Sequence, residues 1–256
     1  MADEKFIKIN KDDQIARITL DRPKHNVLNI AMMKELNIEL KKIAADADIK
    51  CVVITGEGRS FCAGVEVLDH TPENVDEMVS VFNRIFELIE LIDIPVIAAV
   101  NGACLGGGLE LAIAADIVIA SEKAILGQPE VKLGFFPPYA AIRLPELVGT
   151  AKAIEICTTG KNYTASEAET LGFVSKAVTV DEFEKTIETY VKEIIYASPL
   201  ILKFNKRAVK SHIVTNFHHS VQLSSDYFLN TLMKTEDTLE GLKSFEEKRK
   251  PNWKNR

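Results

Sequence analysis

No run in this 256-residue chain approaches the roughly 18 consecutive apolar residues needed to cross a bilayer. Its start, MADEKFIKIN, has no apolar stretch of signal-peptide length, so the expectation is a cytoplasmic protein with no membrane partner. Cysteine is sparse. Cys51, Cys62, Cys104 and Cys157 show no CxxC spacing and join no Cys/His cluster, which argues against a metal centre. Three of the four lie in apolar or glycine-flanked settings and read as reduced, buried thiols. The five histidines are equally uninformative. His25 and His70 sit in polar loops, His212 precedes a predicted helix and His218 and His219 lie in it, so each reads as structural or solvated. Basic charge is also short, with 31 Lys and Arg against 37 Asp and Glu for a net charge of -6. The one dense basic cluster, Lys248-Arg249-Lys250, reads as a solvated face, and no nucleic-acid partner is expected.

Several motifs are missing as well. The glycine run Gly106-Gly107-Gly108 lacks the Lys-Ser/Thr ending of a P-loop and does not follow GxGxxG spacing, so neither nucleoside triphosphate nor dinucleotide binding is supported. No GxSxG elbow occurs, which weakens a serine-hydrolase reading. There is no internal repeat at periods of about 20–50 residues and no low-complexity linker.

What is present is material for a large core, with 46% hydrophobic and 27% charged residues. FIKIN and QIARITL alternate apolar and polar residues and predict a β-hairpin. IAMMKELNIELKKIAADA has helical spacing, and CVVITG is a short apolar run of the kind that forms a buried parallel strand. The order then repeats, with a helix over 75–91, a strand over 96–100, a helix over 107–115 and a strand over 117–120. Such alternation implies an α/β protein with right-handed crossovers. Beyond about Tyr139 the pattern turns to helices joined by short polar turns, with Thr164 and Thr179 placed as helix starts. A helix over 216–232 carries Phe217, Val221, Phe228 and Leu232 on one face, for an internal core or for a subunit contact.

Two features carry chemistry. Three glycines before a helix let the backbone approach a ligand, and the first helical N–H groups have no intrahelical acceptor. They suit a developing oxyanion as well as they suit a tight packing turn. A second loop, Gly56 to Glu66, follows a buried strand, where ligands lie in open α/β folds. Glu110 follows the glycines; Glu130, in Gln128-Pro129-Glu130, sits on a proline-stiffened loop and joins the same site only if the fold brings it there.

The ordered segments RPKHNVLN, FCAGVEV, GACLGGGLELAIAADIVIAS, GQPEVKLG and EGLKSFEEKRKPNW resemble the enoyl-CoA hydratase/isomerase, or crotonase, family over nearly the whole chain. The family's matching patterns are RPxxxNALN, FSAGADI, GGGxELAxxCD, GxPEixlG and EGxxAFxEKRxPxF. The resemblance implies a crotonase-like α/β spiral of ββα units over residues 1–198, a C-terminal helical trimerisation region over 199–256, and homotrimers that often pair into hexamers. It implies an acyl-CoA thioester substrate, with no cofactor beyond the coenzyme A moiety of that substrate. The thioester oxygen would be held by the N–H groups of Val65 and Gly107, because reaction beside a thioester passes through an enolate. Glu110 and Glu130 would exchange protons between water and the substrate carbon; the presence of both favours hydration over double-bond isomerisation or a non-catalytic acyl-CoA-binding scaffold. Coenzyme A would lie along Lys24, His25, Ala63, Val65, Val67 and Leu68, with Lys250 and Trp253 at its nucleotide end.

One departure bears on the acyl group. Where the common hydratase pattern continues IPGAGGTQRL, this chain has FFPPYAAIRL, so Phe135, Phe136, Pro138 and Tyr139 replace flexible glycine beside the expected acyl pocket. This stretch, with AGVEVLDHTPENVDEM, is similar to family members that hydrate cyclic dienoyl-CoA esters, such as cyclohexa-1,5-diene-1-carbonyl-CoA, in anaerobic degradation of aromatic compounds.

Overall fold

The apolar runs become the strands of one six-stranded sheet, and the residues just after them become a second, smaller sheet. The structure, a computed structural model, describes residues 5–12, 14–210 and 217–252. The chain begins with the antiparallel hairpin β1 (Ile7–Asp12) and β2 (Ile15–Leu20), followed by α1 (Ile30–Ala44). Two ββα turns follow: β3 (Cys51–Gly56), β4 (Ser60–Cys62) and α2 (Val75–Leu91), then β5 (Val96–Val100), β6 (Ala103–Leu105) and α3 (Gly107–Ala114). A third turn starts with β7 (Ile117–Ser121) and β8 (Ile125–Gly127) and closes on a short 3-10 turn, Pro129–Leu133. In each turn the first strand joins the large sheet, order β1-β2-β3-β5-β7-β10, and the second joins the small one, order β4-β6-β8-β9. The chain then runs through α4 (Ala140–Val148), α5 (Thr150–Thr159), β9 (Asn162–Thr164), α6 (Ala165–Leu171), β10 (Lys176–Val178) and α7 (Val180–Tyr196). It ends in α8 (Pro199–Lys210), α9 (Phe217–Asn230) and α10 (Glu236–Glu246).

Side-chain alternation divides the large sheet between two apolar layers. Val52 and Ile54 of β3 enter the main core, shared with α1 and α2, whereas Cys51 and Val53 face the other way against Phe183, Ile187 and Val191 of α7. A strand apolar on both faces carries no alternating pattern, which is why CVVITG reads as a continuous run. Helix α2 buries Val75, Met78, Val79, Phe82, Ile85, Phe86 and Ile89, the spacing of one helical face. Burial pushes the Cys51 and Cys62 thiols up to about 12. At neutral pH they are inert, as their settings suggested.

The helical reading beyond Tyr139 requires correction. β9 and β10 both lie there, β9 antiparallel to β8 and β10 parallel to β7. Each has three residues, as do β4, β6 and β8, too few for any periodicity to register. Thr164 does start a helix, through a reciprocal capping box with Glu167. Of the face expected over 216–232, Val221 and Phe228 are buried within the chain and Leu232 opens a 3-10 turn, while Asn216 lies outside the described residues.

The last helices are held by polar anchors and by one close backbone approach. On α8, the nearly buried Lys206 ammonium donates to the Ile94 carbonyl at 2.9 Å and to Asp116 at 2.6 Å, and Asp116 also accepts from Val96 N at 2.8 Å. On α10, Thr238 Oγ1 donates to the Gly134 carbonyl at 3.0 Å. A methyl carbon at Gly241 would stand 1.9 Å from the Leu133 carbonyl oxygen, so only glycine lets α10 pack on the Pro129–Leu133 turn. Gly241→Ala is therefore expected to destabilise by about 1–3 kcal/mol through overpacking. Thermal unfolding should register a loss of several degrees in Tm, and an unchanged Tm would show that α10 does not pack this closely.

Candidate active site

Glu110 lies in the first turn of α3, a helix in which all eight residues are buried, and is itself only 2% exposed. Its Oε1 accepts from Tyr139 N at 2.7 Å and Ala140 N at 2.9 Å. These are the first N–H groups of α4, so the carboxylate occupies a helix N-terminus while riding in the first turn of another. Burial nevertheless wins: it pushes the Glu110 carboxyl from 4.5 up to about 7 against the pull of those two N–H donors.

Glu130 follows Pro129 in the 3-10 turn and faces the same cavity. Burial, and then the Glu110 charge, hold it well above the usual carboxylate range. Two carboxyls that repel in this way titrate as a pair, one proton at a time. Beside Glu130 lies the fully buried carboxamide of Gln128. Turned with its NH2 toward Glu130, it donates to both carboxylate oxygens, at 2.9 and 3.0 Å. Turned the other way, its carbonyl accepts only from a protonated Glu130, so amide orientation and proton occupancy are linked.

The glycine run brings a backbone donor to this pair. Gly106 has φ 55° and ψ -129°, and a methyl carbon there would stand 2.9 Å from Glu130 Oε1. Gly108 packs against the Cys62 carbonyl, where an added carbon would come within 2.0 Å. Gly107 N–H, first in α3, has no intrahelical acceptor. A carbon at Gly107 would meet Val65 Cγ2 at 2.6 Å, so the loop after β4 and the start of α3 touch here. Val65 is held by a parallel bridge to Leu28, in which Leu28 N donates to Gly64 O and Glu66 N to Leu28 O. That pattern uses the Gly64 carbonyl on one side and the Glu66 N–H on the other, and leaves Val65 N–H unspent among the described residues.

These groups line one cavity of about 330 Å3, within the range of roughly 300–1,000 Å3 typical of small-molecule sites. Ala63, Val65, Val67, Phe135, Phe136 and Pro138 line it, as do both glutamates and Gly107. Tyr139 reaches the site through its N–H alone. Its ring stacks on Phe86, with centroids 3.9 Å apart, and lines a second cavity of about 310 Å3 on the other side of α4. Lys24 and His25 are not on the lining; His25 Nδ1 meets Ser60 Oγ at 2.9 Å and its carbonyl accepts from Ala63 N at 3.0 Å. Leu68 and Lys250 are exposed away from the lining, and Trp253 lies outside the described residues. Among the described residues no group of three or more His, Cys, Asp and Glu is placed to hold a metal ion.

Sequence reasoning did not single out His70, Met78, Phe82, Asn83, Phe228 or Phe245 as pocket residues, yet all line the cavity. Phe228 and Phe245 arrive from α9 and α10, so two C-terminal helices complete a pocket begun by the spiral. His70 carried a signal as a polar residue directly after the loop that supplies Val65, and Phe228 and Phe245 carried one only as part of an apolar helix face and of the C-terminal motif.

Comparison with known proteins places this geometry among relatives. A family profile described as Enoyl-CoA hydratase/isomerase matches residues 10–256. The chain is 36% identical, over 96% of its length and 90% of the relative's, to the Probable enoyl-CoA hydratase, mitochondrial, of Dictyostelium discoideum. It is 31% identical, over 97% of its length and 96% of the relative's, to the Cyclohexa-1,5-dienecarbonyl-CoA hydratase of Thauera aromatica. The crystal structure of an enoyl-CoA hydratase from Mycobacterium avium subsp. paratuberculosis aligns with a TM-score of 0.88 at 26% identity, covering 98% of this chain and 99% of that one.

The raised carboxyls have a consequence for stability. Between the unfolded value near 4.3 and about 7 for Glu110, the native state binds more protons than the unfolded one, so stability falls as pH rises through this window. Replacing both residues by glutamine removes that penalty. The double variant should melt above the wild type at pH 8, by roughly 2–4 °C per kcal/mol recovered, and the gap should close toward pH 4.5. A gap that does not vary with pH would contradict the raised values.

Proposed function

The chain belongs to the enoyl-CoA hydratase/isomerase family, and from that premise we propose that it adds water reversibly across the conjugated double bond of an acyl-CoA thioester. The observation that carries the reading is the pair of water-poor carboxyls, Glu110 and Glu130, facing one cavity beside the Val65 and Gly107 backbone. The two N–H groups hold the thioester oxygen. As water adds to the β-carbon, negative charge moves onto that oxygen, and donors already aimed at it stabilise the enolate without reorganisation. Glu110, with two backbone N–H groups on one oxygen, is the member better suited to carry charge and accept the proton of water. Glu130, which burial and the Glu110 charge keep protonated, delivers a proton to carbon. Elimination runs the same steps backwards.

The acyl group is read from the wall. Phe135, Phe136 and Pro138 replace a flexible glycine stretch with flat, stiff surface, and Phe228 packs edge-on against Phe136 with centroids 5.5 Å apart. Such walls favour a planar, conjugated ring over a flexible chain. The similarity to a relative named for a cyclic dienoyl-CoA supports the same reading, a cyclic conjugated dienoyl-CoA.

Glu130→Gln is expected to lower kcat by about 10²–10⁴, the usual scale for general acid–base catalysis, while acyl-CoA affinity stays within a few-fold; normal turnover would remove Glu130 from the mechanism. In a screen of enoyl-CoA esters, the cyclic diene should exceed crotonyl-CoA in kcat/KM, and the reverse order would discard the ring reading. Label from solvent oxygen should enter the product. A shifted double bond without label would identify an isomerase instead.

A further inference from the structure

Apart from the two glutamates, three polar side chains among the described residues line the acyl cavity: Glu66, His70 and Asn83. Glu66 is occupied by the Arg22 guanidinium at 3.1 Å. The other two are each fixed by a neighbour in a way that decides what they offer to a ligand.

His70 ends a 3-10 turn, Val67–His70, whose Asp69 carboxylate accepts from Ile30 N at 2.8 Å. Its Nδ1 lies 3.0 Å from the Glu66 carbonyl oxygen. A carbonyl only accepts, so Nδ1 carries the proton, and Nε2 of the neutral ring is an acceptor. Burial lowers the His70 pKa and favours that neutral ring. The imidazole is wedged against Phe135, centroids 4.9 Å apart, and Phe228, at 6.5 Å. The ring lines the cavity beside both phenylalanines.

Asn83 on α2 reaches Ser225 on α9. The Ser225 hydroxyl donates to Val221 O at 2.9 Å, so its oxygen is left to accept, and the Asn83 NH2 must be the group that faces it. Asn83 Oδ1 then remains as the free end of the amide. Ser225 and Phe228 are three residues apart on α9 and share a face. His70, beside Phe228, and Asn83, on Ser225, therefore both border α9. His70 Nε2 and Asn83 Oδ1 are acceptors, and the second N–H of the Asn83 amide is the one donor left between them.

We propose that His70 and Asn83 form an acceptor-rich polar patch in the acyl cavity that selects acyl-CoA esters bearing a hydroxyl group beyond the reacting double bond. The inference rests on the acyl-CoA hydratase reading and narrows its substrate class. A hydroxyl can donate to either acceptor, whereas a methyl group in its place covers them without a hydrogen bond, a cost that binding sites convert into discrimination.

The test compares two enoyl-CoA esters of one carbon skeleton, one with a hydroxyl and one with a methyl at the distal position, in wild type, His70→Phe, His70→Gln and Asn83→Leu. The wild type should favour the hydroxylated ester by tenfold or more in kcat/KM, with the difference mainly in KM. His70→Phe keeps an aromatic ring against Phe135 and should reduce the preference at least threefold, and His70→Gln, whose amide oxygen can accept, should restore part of it. If His70→Phe fails to fold by circular dichroism, Asn83→Leu must show the reduced preference. Equal kcat/KM for the two esters in the wild type, or a ratio untouched by both His70→Phe and Asn83→Leu, overturns the inference while leaving the hydratase reading intact. Failure of the wild type to hydrate any ester overturns both.

Discussion

The Glu110 carboxylate sits with one oxygen on the opening N–H groups of α4, inside the first turn of α3, with almost no solvent of its own. Burying an ionised carboxylate in apolar surroundings costs several kcal/mol even after relaxation. Two N–H groups and two helix ends offset part of that cost. The upward shift to about 7 shows that they do not offset all of it. Glu110 therefore stands near the point at which its proton can be lost or regained at neutral pH, the condition under which an acid/base group works best.

Much of the remaining architecture serves that condition. Gly108 against the Cys62 carbonyl and Gly107 against Val65 press α3 onto the loop after β4, so the donors approach without a side chain between them. Gly106 makes room for the Glu130 carboxyl, which a side chain there would crowd. Aromatic side chains from α2, the 135–136 stretch and α9 form the apolar wall of the cavity. Of the helices that complete the cavity, α10 is in turn fastened by its approach to Leu133, and the Lys206 contacts fasten α8, which precedes them. Tyr139 joins the two cavities, with its N–H on Glu110 and its ring in the wall of the other. A change in the second cavity would thus bear on the position of the N-terminus of α4.

How much of this was legible in the sequence depended on the range of the interaction. The long elements were, because α1, α2 and the strands of the large sheet carry their own periodicity or a continuous apolar run. The three-residue strands β4, β6, β8, β9 and β10 were not, since their identity lies in the partner they pair with. The ββα spiral and the family were read from ordered motifs, and the observed fold and the comparisons agree with both. Tyr139 was expected to face the acyl group, yet its ring turns away, because the aromatic core around Phe86 claims it. Phe228 and Phe245, more than a hundred residues from the glycine run, could not have been assigned to the cavity by spacing.

By itself, the sequence determined local things: where helices start, which runs are buried on both faces, and where a backbone without side chains precedes a carboxylate. These follow from propensities and periodicities that act over a few residues. Tertiary structure alone decided that Glu130 meets Glu110, that Val65 meets Gly107, and which nitrogen of His70 carries the proton and which end of Asn83 meets Ser225. Burial, charge coupling and hydrogen-bond direction are properties of neighbours in space. A chain sets those neighbours only once it has folded.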